Sequence, residues 1–114
     1  MAMLDWNSYR TQIVQGVGEL GKLSPGTVKG YAGLSSAGKE KDLLGEKVRE
    51  LIALAVAVTT RCDGCIAVHS QAALKAGATR EEIAEALGVA VALNAGAALV
   101  YSTRTLDAIN AASA

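Results

Sequence analysis

Two cysteines and one histidine, the only ones in a chain of 114 residues, fall within eight positions of the segment RCDGCIAVH, Arg61–His69. Two thiols beside an imidazole suit two chemistries: a reversible dithiol–disulfide cycle, and transition-metal binding. Placed on one α-helix, Cys62, Cys65 and His69 sit at i, i+3 and i+7, within an arc of about 60°, so all three share a face. Cys62 falls at or just before the first turn, where unpaired backbone N–H groups and the positive end of the helix dipole favour an anion such as a thiolate. His69, one turn beyond Cys65, is spaced to orient a water or move a proton to and from the sulfur. Asp63 and Gly64 help to start the helix, since an acidic residue suits its first turn.

Glu50 is the fourth candidate. It stands where EKVRE gives way to LIALAVAV, at the edge of a face expected to be buried, where a carboxylate needs a partner. A pairing with Lys47 or Arg49 is the plain alternative. In an antiparallel helical hairpin turning at Thr60–Cys62, Glu50 lies roughly 15 Å below the turn on one side and His69 about 10 Å below it on the other. That spacing brings them within about a turn of each other, and a Glu50–His69–Cys65 proton relay is geometrically reasonable.

The elements that must position these groups read as helices throughout. Ser24-Pro25 gives an N-cap followed by a proline at the first helical position, opening a short helix to about Leu34. Gly33–Gly45, with KEKD in its middle, reads as a solvated connection. Glu46–Thr60 reads as a buried helix, its length and its Ala and Leu content outweighing a strand reading of AVAVTT. A helix from about Asp63 to Lys75 is expected to end on Gly77 as a left-handed cap. Thr79 and Glu82 then form a capping box that opens the helix EEIAEALGVAVAL, and a last helix is expected from about Ala95 to Ala111. Residues 1–114 are expected to form a single all-α domain, with residues 1–45 as N-terminal helices and connection and 46–112 as the core that carries the motif.

Composition narrows the function. Eleven acidic and eleven basic residues balance, so no charge excess points to nucleic acid or to an anionic membrane. Phe is absent and the apolar content is mostly Ala, Val and Leu, as suits helices packed closely through small residues. Asp5 and Trp6 interrupt the N-terminus before an apolar stretch develops, so no secretory signal is expected. The most apolar segment, Leu87–Val100, is shorter than the ~20 residues of a spanning helix. A cytoplasmic protein without membrane contact is the expectation, and in a reducing cytosol two nearby cysteines point to redox or metal chemistry. Elsewhere, Arg61 reads as a solvated residue at the helix turn. Glu81, Glu82 and Glu85 read as capping and solvating residues, Tyr101 as core in preference to pocket lining, and Asn94 as bonded to backbone or to a partner subunit.

Glu50 followed by eleven residues and then Cys62-x-x-Cys65-x-x-x-His69 resembles the signature of AhpD-like alkylhydroperoxidases, which belong to the carboxymuconolactone decarboxylase family. The flanks EKVRELIALAVAV and HSQAALKAGATREEIAEALGVAVALNAGAALV are similar too, so the resemblance covers about Lys47–Ile109. It implies an all-helical, single-repeat bundle assembled as a homotrimer or homohexamer. It also implies a thiol-dependent peroxidase. Cys65 would be the thiolate that reduces a hydroperoxide and becomes a sulfenic acid, Cys62 would resolve it as a Cys62–Cys65 disulfide, and Glu50 with His69 would form the relay. No bound cofactor or metal is implied. The implied partners are a hydroperoxide and an external dithiol protein of lipoyl or thioredoxin-like type. The sequence departs from the pattern at Gly64, where some peroxidase members carry a second histidine. The competing readings are a zinc module using Cys62, Cys65 and His69, and a non-redox member, decarboxylase-like or a scaffold. Because the lactone decarboxylases lack the cysteine pair, decarboxylation is the less favoured activity.

Overall fold

A computed structural model describes residues 2–114. Its helices are α1 (Trp6–Leu23), α2 (Pro25–Ser36), α3 (Glu46–Thr60), α4 (Asp63–Lys75) and α5 (Arg80–Ser113), with a single 3-10 turn at Ala37–Lys39 between α2 and α3. No strand occurs among the described residues, and the fold is all-α.

Local chemistry sets most of the boundaries. Asp5 caps α1, its carboxylate accepting from the Ser8 backbone N–H at 3.2 Å and from the Ser8 hydroxyl at 2.8 Å. Those bonds hold the Asp5 carboxyl below the usual carboxylate range. Ser24 occupies the N-cap position of α2 with Pro25 next to it, but its hydroxyl pairs with that of Thr27 at 2.7 Å rather than with backbone. The helix runs on to Ser36, two residues past the expected end, because Ser35 and Ser36 continue it and the Ser36 hydroxyl bonds back to the Ala32 carbonyl. Gly77, at φ +90°, ends α4 in a Schellman motif: Ala78 N–H reaches the Ala73 carbonyl and Gly77 N–H the Leu74 carbonyl. The capping box at Thr79 and Glu82 opens α5, with both reciprocal bonds present.

One expectation is corrected at the C-terminal end. The two helices read there are one, Arg80–Ser113, and Asn94 and Gly96 do not break it. Alanine and leucine surround them, and a helical glycine costs only about 1 kcal/mol relative to alanine. The Asn94 amide also spends its hydrogens inside the fold, donating to the Ala90 carbonyl at 2.7 Å and to the Thr59 hydroxyl on α3 at 2.9 Å. As one helix, this segment is long and apolar enough to span a membrane by length and composition, which the shorter reading of Leu87–Val100 had excluded.

The helices α3 and α4 form an antiparallel hairpin, and the first half of α5 packs along α3. Their contact is built from small residues: Leu54, Ala73 and Ala78 form a buried cluster with Leu51 and Ile83 against it, and Ala57, Ala67 and Ala90 are also buried. Alanine at these positions lets helix axes approach closely, which brings the polar groups on facing helices within bonding distance. Lys47 on α3 pairs with Glu82 on α5 at 2.8 Å and fixes the start of α5. The N-terminal pair α1 and α2 meets the rest of the chain through α1 against α4.

Candidate redox site

The turn between α3 and α4 is built to present Cys62. Arg61 takes the left-handed conformation at φ +54°, an uncommon one for a non-glycine residue, and ends α3. The reversal lets Cys62 N–H reach back to the Ala57 carbonyl at 3.0 Å. Cys62 is thereby the N-cap of α4, its sulfur accepting from the Cys65 backbone N–H at 3.1 Å. Cys65 sits one turn into the helix and is joined to Cys62 by a disulfide, with their Cα atoms 5.2 Å apart. Both residues are half-buried, and Asp63 between them is exposed.

His69 Nδ1 lies 2.6 Å from Glu50 Oε2, across the α3–α4 hairpin. Both side chains are largely sheltered, with 29 % and 18 % of their surface exposed. Glu50 does not take the plain alternative of a local ion pair: Lys47 goes to Glu82, and Arg49 goes to Asp42 at 2.5 Å. The carboxylate fixes which imidazole nitrogen carries a proton. With Nδ1–H donating to Glu50, Nε2 is the nitrogen left to accept or deliver one.

Cys65 and His69 open together on one groove of about 350 Å³. Ile52, Ala53, Val56 and Ala57 on α3 give it apolar walls, with Thr60 and Arg49 at its margins. The structure thus brings all four residues expected from the sequence to one hairpin: Cys62 and Cys65 at its turn, Glu50 and His69 paired on its two arms, and the groove between. With the two sulfurs bonded to each other and Glu50 engaged by His69, no group of three or more His, Cys, Asp or Glu side chains among the described residues converges on a metal position.

Three participants escaped the sequence reading. Arg10 on α1 donates from Nε to the Ala67 carbonyl at 2.8 Å, tying α1 to the redox helix. Ile13 packs over Gly64, where an added Cβ would come within 2.9 Å of the Ile13 Cδ1. The space a histidine would take between the two cysteines is therefore held by α1. The third is the apolar wall of α3, Ile52 and Val56, which the buried-helix reading did not distinguish from core. Periodicity marks a hydrophobic face but not which part of it stays open. The contacts of Arg10 and Ile13 join segments more than fifty residues apart, and no local pattern signals them.

The profile of the carboxymuconolactone decarboxylase family matches residues 25–108, a span that contains the hairpin, the cysteine pair, Glu50 and His69. The chain belongs to this family. The chain is 49 % identical over 104 residues to an uncharacterized protein of Haemophilus influenzae, covering 91 % of this chain and 92 % of that one. It is 34 % identical over 110 residues to an uncharacterized protein of Cupriavidus necator, covering 94 % and 97 %. Among solved structures, a family member from Legionella pneumophila in its apo form is similar with a TM-score of 0.73 and 37 % identity, over 86 % of this chain and 88 % of that one. Identity at this level over nearly the whole length extends the shared fold to the first helices, beyond the part that the sequence resemblance covered.

Proposed function

We propose that this family member is a thiol-dependent oxidoreductase of the AhpD-like type, which reduces hydroperoxides through a Cys62–Cys65 dithiol–disulfide cycle. The observation that carries the reading is the Glu50–His69 pair beside the groove that also holds Cys65. In the reduced protein, the Cys65 thiolate attacks the distal oxygen of the hydroperoxide. The O–O bond breaks, the alcohol leaves with a proton supplied through His69, and Cys65 becomes a sulfenic acid. The Cys62 thiolate then attacks the Cys65 sulfur, the S–S bond forms, and water leaves with a second proton. An external dithiol protein, lipoyl-type or thioredoxin-like, reduces the disulfide by exchange and is itself oxidised. No bound cofactor enters the cycle, and a cytoplasmic setting supplies the reducing partner.

Three features support these roles. Cys62 at the N-cap accepts from the Cys65 backbone N–H, in the place where the start of α4 favours a thiolate. Glu50 sets the imidazole tautomer so that His69 Nε2 serves as proton carrier. The apolar walls of the groove suit an organic hydroperoxide. A peroxide-consumption assay against a panel of dithiol donors tests the proposal: Cys65→Ser should abolish turnover, and Cys62→Ser should accumulate a sulfenic acid that dimedone traps. Turnover by Cys65→Ser at the wild-type rate would overturn the assignment.

A further inference from the structure

Arg49 brings a permanent positive charge to the groove of Cys65 and His69, whose other walls, Ile52, Ala53, Val56 and Ala57, are apolar. Only 23 % of its side-chain surface is exposed. The stem is seated against the Ala37–Lys39 turn, where a Cβ added at Gly38 would come within 3.1 Å of the Arg49 Cδ. A guanidinium carries five N–H donors in a planar fork. Among the described residues Arg49 makes one hydrogen bond with them, from Nη1 to Asp42 Oδ1. Asp42 belongs to the connection before α3 and its carboxylate is 61 % exposed. A sheltered cation with donors to spare, beside an apolar groove, favours an anion that brings its own hydrocarbon.

The spacing narrows what that ligand is. Arg49 lies twelve residues before Arg61 on α3, and Cys65 four residues after it on α4. Along the hairpin the two therefore stand roughly 12 Å apart. About ten carbons of an extended chain cover that distance, and Ile52 and Val56 line the way.

We propose that Arg49 is a specificity-determining residue of the groove, which holds the carboxylate of a long-chain hydroperoxy acid while the chain lies on Ile52 and Val56 and the hydroperoxide group reaches Cys65. The carboxylate takes a forked seat on the guanidinium. Asp42 is its internal competitor and gives way because it sits exposed on a connecting segment. A chain whose carboxyl is esterified, as in a methyl ester or a phospholipid, forfeits the Arg49 contact. The arrival of the hydroperoxide at Cys65 rests on the redox role proposed above: the –OOH group becomes –OH, one water leaves, and the two thiols become the disulfide.

The test reads binding apart from chemistry, with decanoate as an unreactive probe. In a Cys62→Ser background, decanoate should slow alkylation of reduced Cys65 by iodoacetamide, and methyl decanoate should need about ten-fold more for the same protection. Arg49→Gln should erase the difference between acid and ester. Asp42→Asn removes the competing charge and suits the left-handed backbone there, at φ +51°; it should lower the decanoate concentration required several-fold. Equal protection by decanoate and its ester overturns the proposal. So does a difference that survives Arg49→Gln, or an Asp42→Asn protein that needs as much decanoate as its parent. With both cysteines present and a dithiol donor, kcat/KM for linoleic acid hydroperoxide should exceed that for its methyl ester about ten-fold, and Arg49→Gln should bring the ratio towards one. Equal values for acid and ester in the wild type overturn the specificity. Turnover of neither, nor of cumene hydroperoxide, with protection by decanoate intact, overturns the redox reading and supports Arg49 as a carboxylate site.

Discussion

Glu50 and His69 are separated by nineteen positions, yet their side chains meet at 2.6 Å because α3 and α4 fold back on each other about Arg61. The contact joins a carboxylate on one arm of the hairpin to an imidazole that shares its face of α4 with Cys65. Alanine at 57, 67 and 73 allows the helices to approach closely, so the small-residue core and the polar pair are parts of one arrangement.

The pair gives a direct kinetic expectation. Glu50→Gln keeps the size of the side chain but removes the charge that orients the imidazole. Loss of such an orienting partner typically costs on the order of 10- to 100-fold in activity. Peroxide turnover should fall by that amount while the midpoint of thermal unfolding changes little. A Glu50→Gln protein with an unchanged rate would remove Glu50 from the relay.

Gly64 should prove to be a packing position. Gly64→His must turn the Ile13 Cδ1 methyl away from its seat, and because that methyl is the end of a flexible side chain the expected loss is about 1 kcal/mol, the low end of the overpacking scale. Ile13→Ala in the same chain should restore part of that loss, which a double-mutant cycle by denaturant unfolding measures. Strict additivity of the two substitutions would show that the two residues do not press on each other.

Much of this was legible in the sequence, for physical reasons that differ by element. The capping box at Thr79, the Gly77 stop and the offsets of Cys62, Cys65 and His69 are local, and each was read with its correct neighbours. The continuity of α5 was not legible, because Asn94 and Gly96 look like a break unless the hydrogen bond to Thr59 on another helix is known. The seat of Ile13 on Gly64 and the tie from Arg10 to Ala67 were also hidden, since each depends on how α1 docks and not on any periodicity.

The Lys47–Glu82 bridge predicts a pH dependence. The hydrogen bond from Lys47, followed by that from the Thr79 backbone, holds the Glu82 carboxyl below the usual glutamate range. A carboxyl lowered on folding adds stability above its unfolded pKa and loses it as pH falls through the folded value. Glu82→Gln should therefore unfold at a lower temperature than wild type at neutral pH. The gap should close as pH drops below the ordinary carboxylate range, as calorimetry across that range would show. A gap that persists unchanged in acid would assign the effect to packing.

The central claim is that the two cysteines form one redox couple driven by peroxide. The most direct measurement adds one equivalent of cumene hydroperoxide to the fully reduced, folded protein and follows free thiols and intact mass. The account predicts that both thiols disappear together, with a mass loss of about 2 Da per chain for a Cys62–Cys65 disulfide. Retention of both free thiols in the folded protein under the same treatment would contradict it.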